Sequence, residues 1–217
     1  MKNHAGFTLL ELAIALVIVG IMFGGLMMPL LAQQDQRNLA ETRSQLAFIR
    51  SALTGFAASH RAADSRPYLP CPDTTGDGSE DRVSATGACS ATDNEGGLPW
   101  MDLGLGRSDA WGRDFRYRVD PDFANSTTGF TFSSPASLVV LQAAGAAKLA
   151  DKLPLVVVSH GKLGEGAGAD ERENSDGDGS FVSHEPVFAG ENQFDDLVIW
   201  LPAPLLFSQM VDAGALP

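Results

Sequence analysis

The chain of 217 residues carries 27 acidic against 15 basic side chains, a formal charge of −12. That balance argues against a generic nucleic-acid-binding surface, because phosphate binding needs a local excess of Lys and Arg, although a basic stripe on one face would not show in the total. Only two cysteines are present, Cys71 and Cys89, 18 residues apart. An even count suggests one disulfide formed in an oxidising compartment, worth roughly 3 kcal/mol in the chain-entropy model. A zinc site is the weaker alternative, since there is no second close ligand pair and His60, His160 and His184 are scattered.

The chain opens Met1-Lys2-Asn3-His4-Ala5-Gly6, then Phe7-Thr8-Leu9-Leu10-Glu11, and the 21 residues from Leu12 to Ala32 carry no formal charge. As a helix rising ~1.5 Å per residue, that run is long enough to cross a ~30 Å hydrocarbon core. Glu11 is the oddity, because a carboxylate in lipid is costly unless it finds a partner. A short basic leader, a Gly-Phe junction and one acid near the start of an apolar helix resemble the type IV prepilins. The resemblance implies cleavage between Gly6 and Phe7 by a membrane-embedded prepilin peptidase, N-methylation of Phe7, and pairing of Glu11 with the Phe7 ammonium during assembly. An ordinary signal peptide or signal anchor is the alternative. It would place its cleavage site after the apolar run, have a shorter core and give no reason for Glu11.

Beyond Gln33-Gln34-Asp35-Gln36-Arg37 the pattern turns amphipathic, with Leu39, Leu46, Ile49, Leu53 and Phe56 at three-, four- and seven-residue intervals. One long helix is expected, ending near Ala63, ahead of Pro67 and Pro70. Gly20, Gly24, Gly25 and Pro29 in its apolar half mark either a place to kink or melt on assembly or residues that membrane helices simply tolerate.

Residues 67–105 are turn-rich and read as a long ordered loop, held by a Cys71–Cys89 bridge with Leu98 and Trp100 at its base. Phe115, Tyr117 and Val119 alternate with Arg116 and Arg118, the period of a half-buried strand. The preceding Asp109-Ala110-Trp111-Gly112-Arg113-Asp114 resembles the Asp-Pro-Trp-Gly turn of the major pseudopilins of type II secretion, with Ala110 in place of proline. Phe130–Phe132 and Leu138–Leu141 are further extended candidates, whereas 143–149 reads equally as helix. Leu155–Ser159 and Leu197–Leu201 read as buried strands, the second closed by Pro202 and Pro204. The expected class is α+β: a long N-terminal helix packed on an antiparallel sheet of three to five strands, pilin-like. Residues 1–6 are the leader, 7–32 the transmembrane and assembly half of the helix, 33–65 its amphipathic half and 66–217 a globular periplasmic domain.

The stretch 161–185 is the most chemical. Counted from Asn174, side-chain oxygens fall at positions one (Asn174), three (Asp176) and five (Asp178), glycine at six and Glu185 at twelve. That is calcium-loop spacing, in which short oxygen donors converge on a hard cation and glycine allows the sharp turn. Asn174 in place of Asp and Pro186 after the loop depart from an EF-hand, so a calcium loop in another setting is expected, with a solvated acidic turn as the alternative. The pseudopilin resemblance likewise implies calcium in an acidic loop near this place. A second cluster, Asp73, Asp77, Glu80 and Asp81, has poorer spacing.

Catalysis finds little support. Ser159 and His160 are neighbours in a strand and point to opposite faces, and Gly161-Lys162-Leu163 lacks the rest of a phosphate-binding loop. The leading expectation is a structural subunit of a type IV filament, either a pseudopilin or a minor pilin. As the resemblance implies, it would sit in the bacterial inner membrane with one pass through the lipid and its C-terminal domain in the periplasm. Its partners would be prepilin peptidase, other pilin or pseudopilin subunits, the inner-membrane assembly platform and membrane lipid. The alternatives are a minor pilin that binds a surface, a secreted substrate or DNA through the 67–105 loop, and a periplasmic enzyme on a signal anchor.

Overall fold

The computed structural model describes residues 8–91, 94–166, 168–188 and 192–216 and, between 23 and 32, the backbone alone. Helix α1 (Leu9–Ser59) is followed by β1 (Glu95–Gly97), β2 (Arg116–Val119), α2 (Pro121–Ala124), β3 (Leu138–Leu141), β4 (Lys148–Leu153), β5 (Leu155–Ser159), α3 (Ala169–Glu173), β6 (Ser180–Val182), β7 (Leu197–Leu201) and α4 (Ala203–Asp212). The class is α+β, as expected. The chain divides into two compact units, residues 1–40 and 41–217.

In the first unit every side chain described from Thr8 to Met22 is exposed. Among the described residues no helix is long and apolar enough to cross a membrane. The expected span extends into 23–32, whose side chains lie outside the described residues, and so do Gly6 and Phe7.

In the second unit α1 buries Leu46, Ile49, Leu53 and Phe56, the stripe its spacing demands. The helix stops at Ser59, four residues before the expected Ala63. Its last carbonyls are taken up early: the Arg61 guanidinium donates to Ala57, Ala58 and His60, and the His60 ring stacks on Phe56 at 3.8 Å.

The main sheet has strand order β1-β2-β5-β7 and is antiparallel throughout. The pairs Tyr117↔Val157 and Val157↔Ile199 set one face, and Val156↔Trp200 and Val158↔Val198 set the other. Leu46 of α1 lines a cleft with Leu197, Val198 and Ile199, and Ile49 lines another with Phe115. The opposite face meets a second sheet of order β4-β3-β6. There Leu138, Val140, Leu153 and Phe181 pack with Val156 and Val158, and Val198 and Trp200 join the cluster. Covered on both faces, β5 is buried at every residue, which is why its sequence is an unbroken apolar run.

The second sheet departs from the single antiparallel sheet expected, because β3 pairs with β6 in parallel and with β4 antiparallel. Residues 143–149 form a turn leading into β4 rather than a helix. Phe130–Phe132 is not a strand; Phe130 and Phe132 cluster instead with Phe207 of α4, at 6.2 and 5.5 Å between centroids. Pro202 and Pro204 do close β7, and they also open α4, with Pro202 as the N-cap.

The 67–105 loop is ordered by polar contacts. Cys71 and Cys89 are disulfide-bonded. The Arg82 guanidinium pairs with Glu80, donates to the carbonyls of Leu69, Gly87 and Ala124, and sits over the Tyr68 ring. The buried Tyr117 hydroxyl donates to Pro70 O, tying the loop to β2, and burial raises its pKa well above the ordinary value.

Candidate functional sites

The N-terminal site is legible from Thr8 onward. Thr8 Oγ1 accepts the Glu11 N–H at 3.3 Å, and the Thr8 carbonyl accepts from Leu12 N–H at 3.2 Å. Thr-Leu-Leu-Glu is thus one half of a capping box, and it fixes the start of α1 two residues beyond the Gly6-Phe7 junction. The Glu11 side chain itself is exposed.

The acidic region is arranged otherwise than its spacing predicts. Residues 169–173 fold into α3 and Asn174 is its C-cap. Both ends of the Asn174 carboxamide are committed: Oδ1 accepts from Val182 N–H at 2.6 Å, and Nδ2 donates to Val182 O at 3.1 Å and to Asp196 Oδ2 at 2.8 Å. Asp176 and Asp178 make successive turns, accepting from Asp178 N–H and Ser180 N–H. Glu185 is almost fully exposed and faces Arg43 at 3.4 Å. Among the described residues, Asp176, Asp178 and Glu185 do not gather into one donor group.

The acids that gather are Glu171, Asp195 and Asp196, which place carboxylate oxygens within 4.8 Å of one another. Each is about 1% exposed. Asp195 Oδ2 accepts from the N–H groups of Lys162 and Leu163 at 2.7 and 2.9 Å, while its Oδ1 is buried with no hydrogen-bond partner among the described residues. Glu171 Oε1 accepts from Asp195 N–H at 3.2 Å. Asp196 is held at both oxygens, by His160 Nδ1 at 3.2 Å and by Asn174 Nδ2. Burial, then the charges of Asp196 and Asp195, push the Glu171 carboxyl above its ordinary pKa. Burial also raises Asp195, against the lowering effect of its two backbone donors.

Two glycines make room for this cluster. Gly161 has φ of +51° and packs so closely that a Cβ would lie 2.5 Å from the Asp195 carbonyl oxygen and 2.9 Å from its Oδ2. A Cβ on Gly166 would overlap Glu171 Oε2. The Gly161-Lys162-Leu163-Gly164-Glu165-Gly166 pattern is therefore the imprint of two carboxylates on the backbone that passes them. Together with the Asp195-Asp196 doublet ahead of β7, it is the sequence signal for the cluster.

Ser159 and His160 belong to different hydrogen-bonded pairs. Ser159 Oγ donates to Asp109 Oδ2 at 2.6 Å, and His160 faces Asp196. Asp109 Oδ1 in turn accepts from Trp111 and Arg113 N–H, which folds the Asp109–Arg113 turn, and Thr42 of α1 accepts from Ala110 N–H. In the 73–81 cluster the carboxylates serve the backbone. Asp73 accepts from Thr75, Gly76 and Gly78 N–H, Asp81 from Thr74 and Thr75 N–H, and Asp77 from Ser79 N–H.

Residues 1–27 match the prokaryotic N-terminal methylation motif, the type IV prepilin-like signal. No curated protein and no solved structure matches the chain.

Proposed function

We propose that the protein is a subunit of a type IV filament, a pilin or pseudopilin, made as a precursor, held in the bacterial inner membrane and processed before assembly. The observation that carries this reading is the methylation motif over residues 1–27, a stretch that contains the Gly6-Phe7 junction and Glu11 four residues after Phe7. The architecture supports it: a 51-residue helix at the N-terminus, exposed along its described first part, and an α+β unit that buries one stripe of the helix's second part. Prepilin peptidase cuts the Gly6-Phe7 bond, and N-methylation of Phe7 follows. The run to Ala32 spans the membrane once, the unit from Glu41 lies in the periplasm, and the filament is built from copies of this chain or its sister subunits. The protein serves as a structural subunit rather than a catalyst, and the disulfide-closed 67–105 loop gives it a distinctive surface.

The test is co-expression of the full chain with a prepilin peptidase. Intact mass should show loss of Met1–Gly6 and gain of one methyl group. Glu11→Ala should be processed yet enter sheared filaments less well than Glu11→Asp, because the charge partner of the Phe7 ammonium is gone. An unprocessed chain beside an active peptidase overturns the reading.

A further inference from the structure

The two sheets end on β1 and β7 and on β4 and β6, and an open sheet edge is a row of unpaired N–H and C=O groups that invites another strand. Three of these edges are closed. β1 is short, and the Asp73 backbone exchanges hydrogen bonds with Gly97 on its outer side. β4 carries Lys148, Asp151 and Lys152, its register on β3 shifts, and Lys152 has φ of +53°. β6 is covered by side chains: the Asp178 carboxylate accepts from Ser180 N–H, and the Asn174 carboxamide takes both the N–H and the C=O of Val182.

β7 has none of these devices. Leu197-Val198-Ile199-Trp200-Leu201 is uncharged, free of proline and in unbroken register with β5. The bond from Asp120 N–H to Pro154 O sets the phase of the sheet: the backbone groups of Val156 and Val158 turn to β2, and those of Leu155, Val157 and Ser159 turn to β7. Leu197, Ile199 and Leu201 answer them, which leaves the N–H and C=O of Val198 and Trp200 pointing outward. Among the described residues no partner reaches these groups. The side chains of Val198, Ile199 and Trp200 are only half-buried, and an open cleft runs beside 197–199 against Arg43 and Leu46 of α1.

We propose that this edge pairs with the same edge of a second copy of the chain, antiparallel about Ile199, so that one continuous sheet runs through both molecules. In that register Val198 lies opposite Trp200 of the second copy and Trp200 opposite its Val198, so every outward N–H meets an outward C=O. The same pairs set a β-branched side chain against an aromatic one, a favourable cross-strand match. Charge selects the direction. Antiparallel pairing lays Asp196 opposite Pro202 and Asp195 opposite Ala203, whereas parallel pairing would bring the two Asp195-Asp196 doublets together. Pro202, which has no N–H to offer, ends the ladder where the acids begin.

The full-length protein in detergent, sedimented over a range of concentrations beside Ile199→Lys and Ile199→Glu, tests the proposal. The unsubstituted chain should dimerise. Each variant sets like charges against one another at the two-fold and should raise the dissociation constant roughly tenfold or more. Mixed together, the two variants should recover the dimer, because lysine then faces glutamate, and that recovery also shows that both are folded. Hydrogen exchange of the unsubstituted chain should show protection at 197–201 that rises with concentration, while 148–153 on the charged β4 edge stays constant. A monomer throughout the range, or a dimer that Ile199→Lys leaves intact, overturns the proposal. Protection at 197–201 that appears only when other filament subunits are added overturns it too and gives the edge to a different chain. The pairing stands apart from the filament reading: a processed subunit that stays monomeric refutes only the first, and an unprocessed chain that dimerises refutes only the second.

Discussion

Two acidic regions of one chain, 73–81 and 171–196, use the same side chains for opposite purposes. In the first, Asp73 accepts three backbone N–H groups and Asp81 two more, so each carboxylate replaces a turn's missing acceptors. In the second, Glu171, Asp195 and Asp196 converge on one another and leave Asp195 Oδ1 without a donor among the described residues. The electrostatics divide the same way. Burial pushes Asp81 up, but the hydroxyl and N–H groups of Thr74 and Thr75 outweigh it and leave the carboxyl below its ordinary pKa. At Glu171 and Asp195 burial wins. Counting acidic residues does not separate a set of turns from a buried, convergent cluster; following where each carboxylate oxygen finds its donors does.

Removing the acceptor that organises the turn should have the largest effect. Asp73 is 5% exposed and holds three N–H groups besides a contact from the Thr75 hydroxyl. Asp73→Ala strands them and should cost about 2–3 kcal/mol in denaturant unfolding, with the same loss in calcium and in chelator. A loss that calcium reverses would erase the contrast between the regions.

A smaller effect follows from acid. Because the folded pKa of Asp81 lies below its unfolded value of about 3.9, its contribution is complete above that value and disappears as pH falls through the folded one. Protection of the Thr74 and Thr75 amides, taken relative to their intrinsic exchange rates, should therefore fall below about pH 4, and Asp81→Asn should remove that pH dependence. Protection at these amides that stays flat into acid would mean the carboxylate does not hold the turn.

The smallest effect sharpens the comparison from the other side. Glu185 completes the calcium-loop spacing, yet its side chain is 93% exposed and its only ion-pair partner among the described residues is a half-exposed Arg43. Glu185→Ala should change stability by less than about 0.5 kcal/mol, in calcium and in chelator alike. A loss of stability seen only in calcium would place an ion in the 174–185 spacing.

Much of the scaffold could be read ahead of the structure where periodicity and burial coincide. Leu46, Ile49, Leu53 and Phe56 announce a helix with one buried stripe, and the apolar runs at β5 and β7 announce covered strands. β4 was not legible, because Lys148–Leu153 is an exposed edge strand whose reason for being extended is backbone pairing with β3. α4 was hidden by its prolines, which end one element and begin the next. The acidic cluster was hidden by distance, since Glu171 and the Asp195-Asp196 doublet meet only after α3, β6 and the start of β7 are in place. The spacing at Asn174 has a second reading for a related reason: alternating Asn, Asp and Asp also describe a helix cap followed by two side-chain turns.

The position of β5 has a consequence in time. Its neighbours β2 and β7 lie about forty residues before and after it in the chain, with Val158 opposite Arg116 on one side and Val198 on the other, and pairings of such sequence separation close slowly. Helix α1 needs only local contacts and forms early. Until the chain has emerged through Leu201, the most apolar strand of the molecule has one of its two edges unpaired. Synthesis therefore completes the helix first and the sheet last, and in that interval the nascent protein is most exposed to misassociation.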